Sequence, residues 1–272
     1  MVVYPVLALV HASFGRYSIT GLYQGSVGLG NYARLLEQEA LPVVVANTAV
    51  WVAAVVAVTL LVSLALAQLL NASFPGRRLV RWALIVPWAA SLIMSAKLFV
   101  WIYDYYFGIL NRLLIALHIL ARPVDWLGDD ATVMGAMIAV GIFVSLPFTT
   151  YVLLAGLQTI PGDVHEAARV DGASPWRAYV SVTLPLLRPA LLVATVLNLI
   201  YVFNSFPIVW TLNDRNPGFA HDTLITYMYK VAFKSSLRDV GLSAAIGVVN
   251  VVVILVAVLL YLRTVPWRES EA

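Results

Sequence analysis

The sequence predicts an all-α polytopic membrane protein with about six transmembrane helices, on two observations. Hydrophobic residues make up 61% of the 272 residues and charged residues only 11%, with a mean hydropathy of +0.88, whereas a soluble domain is about 25% charged. In addition, uncharged runs long enough to cross a bilayer core of about 30 Å recur along the chain. This composition excludes most soluble enzymes and nucleic-acid-binding proteins, and the absence of cysteine excludes disulfides and thiolate metal sites.

The apolar runs define five spans, and a shorter sixth candidate lies at the N-terminus. The segment 2–14 is apolar but too short to cross a bilayer at 1.5 Å per residue, so we expect the numbering to start inside the natural first span. The chain shows no repeat or second domain, which predicts one transmembrane domain over 1–272. Its predicted spans lie near 1–15, 43–70, 80–104, 131–158, 187–211 and 242–263.

Six spans would place both termini on one side of the membrane. Lys and Arg occur equally often in the segments predicted on each side, but Arg77, Arg78 and Arg81 crowd the short connection 71–81. This density favours a cytoplasmic location for that connection, and hence for both termini. Lys97 interrupts the run 82–103, and we expect it to reach the interface or to pair with a partner subunit rather than to bind substrate.

The loop 159–186 is more polar and more ordered than a simple linker. Asp163 followed by Glu166 predicts a capping box that opens a short helix, and Gly172 can adopt the left-handed conformation that ends it. Ser174 followed by Pro175 predicts the start of a second helix. The loop is therefore predicted to fold as a compact helix-turn-helix.

The residues of this loop match a known motif. Glu166-Ala167-Ala168, then Gly172, then Val182-x-Leu184-Pro185 resembles the EAA motif of ABC importer permeases, with Val182 where the family usually has Ile. Weaker similarities before and after the loop extend along most of the chain. The sequence is similar to the carbohydrate permeases of the MalF/UgpA type, although 211–218 departs from the family's usual Thr-x-Gly-Gly-Pro stretch.

The resemblance implies a bacterial or archaeal plasma-membrane (inner-membrane) subunit without catalytic residues, cofactor or metal of its own. It implies that a second homologous permease completes the pathway, that two ATPase subunits bind ATP and Mg, and that an extracytoplasmic solute-binding protein delivers a sugar or sugar-like solute. Disaccharides, oligosaccharides and glycerol phosphates all fit. Membrane lipid surrounds the assembly, and no nucleic acid is involved.

The EAA loop would then be the helix that couples the permease to the ATPase. The resemblance implies that Glu166 pairs with a basic group of the ATPase and that small residues permit close approach. The capping box is the alternative role of Glu166. The implied coupling residues are Glu166, Ala167, Ala168, Asp171 and Gly172.

Polar and aromatic side chains in two spans are candidates for the sugar path. Asn198, Tyr201 and Ser205 are spaced i, i+3, i+7, which places them on one face of a helix, and Asn204 lies beside them. Ser145 and Phe148 share a face of the preceding span. In the resembled family these two helices contribute the sugar site; hydrogen bonding between helices, worth about 0.6 kcal/mol, is the alternative role.

Two other functions remain as alternatives at this point. A secondary carrier usually keeps a carboxylate within the bilayer as its coupling group. The interiors of the predicted spans contain no Asp or Glu. A structural subunit of another membrane complex would not need so ordered a loop. The permease function is therefore favoured.

Overall fold

The computed structural model describes residues 3–216, 218–234 and 238–264, and these are mostly helical. The first half of the chain contains α1 (Val3–Ser13), α2 (Gly30–Leu36), α3 (Leu41–Asn71), α4 (Arg77–Ala89), α5 (Leu92–Ile102) and α6 (Ile109–Ala116). The second half contains α7 (Val133–Gln158), α8 (Gly162–Val170), α9 (Pro175–Ala178), α10 (Leu184–Leu186), α11 (Arg188–Phe203), α12 (Phe206–Leu212), α13 (Leu224–Tyr229) and α14 (Val240–Thr264).

Irregular elements connect several of these helices. A two-stranded antiparallel hairpin, β1 (Gly15–Tyr17) with β2 (Tyr23–Ser26), follows α1, and the sequence reasoning did not predict it. The segments Tyr179–Thr183 and Lys230–Lys234 form single π-helical turns. Residues 1–2 of the predicted first span, and 265–272 of the predicted cytoplasmic tail, lie outside the described residues.

Three helices of the described chain, α3, α7 and α14, are long and apolar enough to cross a membrane. A fourth span results if the segment Pro175–Leu186 and α11, which meet at a bend of 67°, are counted together. The three long helices agree with the predicted spans 43–70, 131–158 and 242–263. The predicted count of six is not confirmed, and α1 has only 11 residues.

The predicted span 80–104 is not one helix. It divides into α4 and α5 because Ala90 and Ser91 adopt extended backbone angles. The Ser91 side chain then accepts a hydrogen bond from the Met94 N–H at 3.3 Å and caps α5. An N-capping serine stabilises the start of a helix, which favours a break at a position where hydropathy alone shows a continuous run.

The predicted span 187–211 is also interrupted. Helix α11 ends at Phe203 and α12 begins at Phe206, with Pro207 in its first turn. Proline has no N–H to donate to the preceding turn and clashes with its carbonyl, which favours a break in the helix before this position. The Asn204 side chain donates to the Ile200 carbonyl at 2.8 Å and satisfies part of the freed helix end.

The membrane core is organised around Trp51 of α3. Its ring is buried among α3, α7 and α12 side chains, and its indole N–H donates to the Val202 carbonyl of α11 at 3.0 Å. A Cβ at Gly141 of α7 would lie 2.7 Å from the Trp51 ring, so only glycine allows these helices to approach so closely. This contact fixes α3, α7 and α11 relative to one another.

Candidate functional site

A cavity of about 250 Å³ lies between α7 and α11, with one wall from α4. Both apolar and polar side chains face it. The lining residues are Trp88, Val144, Ser145, Phe148, Thr149, Leu197, Asn198 and Tyr201. Four of the predicted sugar-path residues, Ser145, Phe148, Asn198 and Tyr201, therefore come together in one cavity.

Two side chains of the cavity wall hold polar atoms without partners. Asn198 is 2% exposed and Ser145 is 4% exposed. Neither the two amide atoms of Asn198 nor the Ser145 hydroxyl has a hydrogen-bond partner within the described residues. Leaving a buried polar group unpaired costs about 1–3 kcal/mol, and most such groups in proteins are paired. Two side chains that line the cavity, Asn198 and Ser145, therefore hold unpaired hydrogen-bonding groups, an amide and a hydroxyl.

The aromatic side chains provide the apolar part of the same wall. Phe148 and Tyr201 are partly exposed, and Trp88 joins them from α4. Thr149 is polar, but its hydroxyl donates to the Ser145 carbonyl at 3.0 Å and so already has a partner. Trp88 was missed because the face that α4 turns towards α7 and α11 cannot be read from the sequence of α4 alone. Thr149 lies four residues after Ser145 on α7, so helical spacing could have found it.

Asn204 and Ser205 do not line this cavity. Because α11 ends at Phe203, the i, i+7 relation between Asn198 and Ser205 does not extend along one helix, and the predicted three-residue stripe is wrong at Ser205. Asn204 is exposed and bonds to its own helix. Ser205 is buried between α11 and α12, and its hydroxyl lacks a partner in the part of the chain that the structure describes.

The loop 159–186 contains the predicted helix-turn-helix, in which α8 is followed by a turn at Gly172 and by a second helical segment, Pro175–Leu186, made of α9, a π-helical turn and α10. Gly172 has a φ of +76°, the left-handed conformation that favours glycine. The Ala173 N–H donates to the Ala168 carbonyl at 3.0 Å across this turn. Ser174 caps α9 by accepting from the Arg177 N–H at 3.3 Å, and Pro175 is the first helical residue.

The predicted capping box is wrong. Helix α8 begins at Gly162 with Pro161 as its N-cap, and no side chain caps it. Asp163 therefore lies within the first turn, where its charge favours the helix dipole. The Glu166 side chain is exposed and has no ion pair among the residues described. Its carboxylate is free for another group.

The exposed surface of this loop includes apolar side chains that sequence reasoning missed. Val170 is 87% exposed and Trp176 is 75% exposed. Ala167, Asp171 and Gly172 are exposed beside them, whereas Ala168 is buried. We call Glu166, Ala167, Val170, Gly172 and Trp176 the loop face.

The loop is held to the bundle at its far end. Leu187 is buried against Leu153 and Leu157 of α7 and Leu70 of α3. The end of the loop is therefore packed against the membrane helices, and a packed interior of this kind deforms little.

Comparison with known proteins identifies the family. The model of the family described as binding-protein-dependent transport system inner membrane component matches residues 59–269. The chain belongs to this family. The predicted permease function is thereby confirmed. The family consists of transport permeases, not of catalytic proteins.

Two relatives show how far the similarity of this permease extends. A probable ABC transporter permease of Brucella suis is 40% identical over 83% of this chain and 77% of its own length. The trehalose/maltose transport system permease MalF of Thermococcus litoralis is 34% identical over 90% of this chain and 81% of its own. Both alignments cover most of each protein.

A solved structure has the same fold. A crystal structure of a bacterial ABC transporter involved in the import of the acidic polysaccharide alginate matches this permease with a TM-score of 0.83. The match covers 97% of this chain and 89% of that chain at 23% sequence identity. The predicted fold class of an ABC importer permease is confirmed.

Proposed function

We propose that this permease forms half of the translocation pathway of an ATP-driven importer for a sugar or sugar-like solute. Family membership supports an importer that depends on a binding protein, and similarity to the trehalose/maltose permease of Thermococcus supports the carbohydrate class. These similarities favour this function over a secondary carrier or a structural subunit. They leave open disaccharides, oligosaccharides and glycerol phosphates.

The observation that carries the sugar assignment is the pair of unpartnered polar side chains in an aromatic-lined cavity. A sugar has hydroxyl groups that both donate and accept, and its ring has apolar C–H faces. The Asn198 amide and the Ser145 hydroxyl match the first property, and the rings of Tyr201, Phe148 and Trp88 match the second. A purely apolar ligand would leave the amide unsatisfied.

Uptake measurements test this assignment. We expect Asn198→Ala to lower uptake of a labelled saccharide about fivefold to 150-fold, because leaving a buried sugar hydroxyl without its partner costs about 1–3 kcal/mol. The labelled solutes to be tested should include a disaccharide, an oligosaccharide and glycerol-3-phosphate.

Thr195→Ala provides the matched control, because Thr195 lies in the same helix and its hydroxyl bonds to the Leu191 carbonyl. Equal uptake by the Asn198 and Thr195 variants, at equal membrane levels, would contradict the sugar site.

The loop face is proposed to contact the ATPase. Exposed Val170 and Trp176 suit an apolar contact with a partner, and the unpaired Glu166 carboxylate suits a basic group. Ala168, within α8, and Asp171, at the end of α8, support the turn that follows. Two ATPase subunits would bind ATP and Mg, so the permease itself needs no cofactor, and a second homologous permease would complete the pathway.

Transport would follow from two states of this assembly. ATP binding closes the ATPase dimer and draws the two coupling loops together, and the permease bundles then turn from one side of the membrane to the other. Such a change needs contacts that differ between the two states. The extracytoplasmic binding protein supplies the sugar to the outward-facing state.

The proposed orientation has its own test. Reporter fusions after Arg78 should indicate the cytoplasm and fusions at Asp129 the outside. An external signal at Arg78 would place the loop face on the wrong side for an ATPase and would overturn the coupling assignment.

A further inference from the structure

A recess of about 410 Å³ lies at the beginning of α4. Three arginines contribute to it, together with residues of the preceding turn. Its lining residues are Ser73, Phe74, Gly76, Arg77, Arg78 and Arg81. We call this the arginine recess.

The described part of the chain does not neutralise the positive charges of the arginine recess. Among the described residues, no carboxylate lies within ion-pair distance of Arg77, Arg78 or Arg81. The Nε atom of Arg81 is buried and has no hydrogen-bond partner there. Uncompensated charges at one place are unfavourable, and arginine is well suited to bind phosphate oxygens through several N–H groups.

The backbone adds to this preference for an anion. Helix α4 has 13 residues, and no side chain caps its N-terminus, where Gly76 has a φ of +90°. The N-terminal end of a helix carries partial positive charge and favours phosphate groups. The arginines and the uncapped end of α4 therefore both favour the binding of an anion.

An apolar stripe continues from the recess along α4. Leu79, Trp82 and Val86 follow at helical spacing, and all three side chains are well exposed. A free phosphate ion would not bind to such an apolar surface, whereas an acyl chain would pack against it. The combination of a phosphate-binding end and an exposed apolar side is that of a phospholipid.

We propose that the arginine recess binds the phosphate of an anionic phospholipid whose acyl chains lie along Leu79, Trp82 and Val86. This inference goes beyond the proposed function and does not depend on it. Because α4 also supplies Trp88 to the wall of the cavity, a lipid held at one end of α4 would fix the position of that wall.

Tryptophan quenching by brominated lipids tests the proposal on the full chain in neutral detergent micelles. Brominated phosphatidylglycerol should quench at a lower lipid fraction than brominated phosphatidylcholine, by at least about tenfold, since each arginine near the surface adds to the attraction for an anionic headgroup. Trp82→Phe should remove most of this difference. Arg78→Gln, and the triple change of Arg77, Arg78 and Arg81 to Gln, should lower it stepwise.

Arg122→Gln is the matched control, because it removes the same charge from an exposed position in the loop before α7. Arg78 is itself exposed, so its single variant tests the site even if the triple variant does not fold. Equal quenching by both lipids would overturn the proposal. So would displacement by millimolar inorganic phosphate, which indicates a free phosphate site, or loss of the preference when the ATPase is bound, which indicates a protein interface.

Discussion

The membrane cavity and the loop face each lack a binding partner, but the cavity lacks a polar one and the loop face an apolar one. In the cavity wall, Asn198 and Ser145 hold buried polar atoms without partners, whereas on the loop face Val170 and Trp176 expose apolar side chains without cover. A polar small molecule would satisfy the cavity, and a protein surface would cover the loop face. This difference supports the proposal that one region selects a solute and the other binds a subunit.

The two regions also differ in what holds their shape. The cavity wall is fixed by tertiary packing, as in the contact of Trp51 with Gly141 and the Val202 carbonyl. The loop face is fixed mainly by local backbone geometry at Gly172 and Ser174. Backbone changes should therefore damage the loop face most, and side-chain changes the cavity.

The largest effect is expected at Gly172. Gly172→Val should lower ATP-dependent uptake into proteoliposomes at least tenfold, because a φ of +76° costs a side chain about 1–2 kcal/mol and is worst for a β-branched one. A Cβ at this position meets no neighbour of the permease within 4 Å, so within the permease the effect is one of backbone conformation.

Gly172→Asn supplies the control for that change. Asparagine tolerates the left-handed conformation better than other residues, so this variant should retain most of the uptake. If both variants transport equally well at equal membrane levels, the turn at Gly172 is not needed for coupling.

The next effect concerns the apolar part of the loop face. Val170→Asp and Trp176→Asp should each weaken co-purification of the ATPase about tenfold or more, since burying such a side chain stabilises a contact by about 1.5–3 kcal/mol. Leu22→Asp, at an exposed apolar position beside the hairpin, is the matched control. Normal ATPase binding by both loop variants would show that the partner covers another surface.

A smaller effect, with an opposite sign in two measurements, is expected in the cavity. Asn198→Leu should raise the free energy of unfolding by about 1–3 kcal/mol, because it removes an unpaired buried amide of similar size, while it lowers sugar uptake. Thermal denaturation and uptake of the same preparation measure both. Thr195→Val is the control, and a loss of stability in Asn198→Leu would instead indicate a contact between helices.

The sequence predicts the three long helices because a continuous apolar run leaves little alternative in a membrane. It also predicts the turn at Gly172 and the cap at Ser174, which depend on neighbours in the chain. Hydropathy missed the breaks at Ser91 and Pro207, because a break between two apolar segments changes the average little. The residues Ser91 and Pro207 themselves were the sequence signal that could have suggested both breaks.

The candidate site was predictable only in part for a related reason. Helical spacing correctly placed Asn198 beside Tyr201, and Ser145 beside Phe148, since each pair lies within one unbroken helix. Which faces of different helices meet depends on long-range packing, so Trp88 of α4 could not be assigned. The cap of α8 was misplaced because Pro161 begins the helix earlier than Asp163.

The smallest effect is expected for the Tyr201 hydroxyl, and it separates the two components of the cavity wall. Within the described residues this hydroxyl makes no hydrogen bond, while the ring lines the cavity. If the ring is the main contribution, Tyr201→Phe should lower uptake only about threefold, the equivalent of one ordinary hydrogen bond at most, and Tyr201→Ala should lower it much further. Ile200→Val, at a comparably exposed neighbour, should change uptake least. An equal loss in Tyr201→Phe and Tyr201→Ala would show that the Tyr201 hydroxyl, and not its ring, holds the sugar.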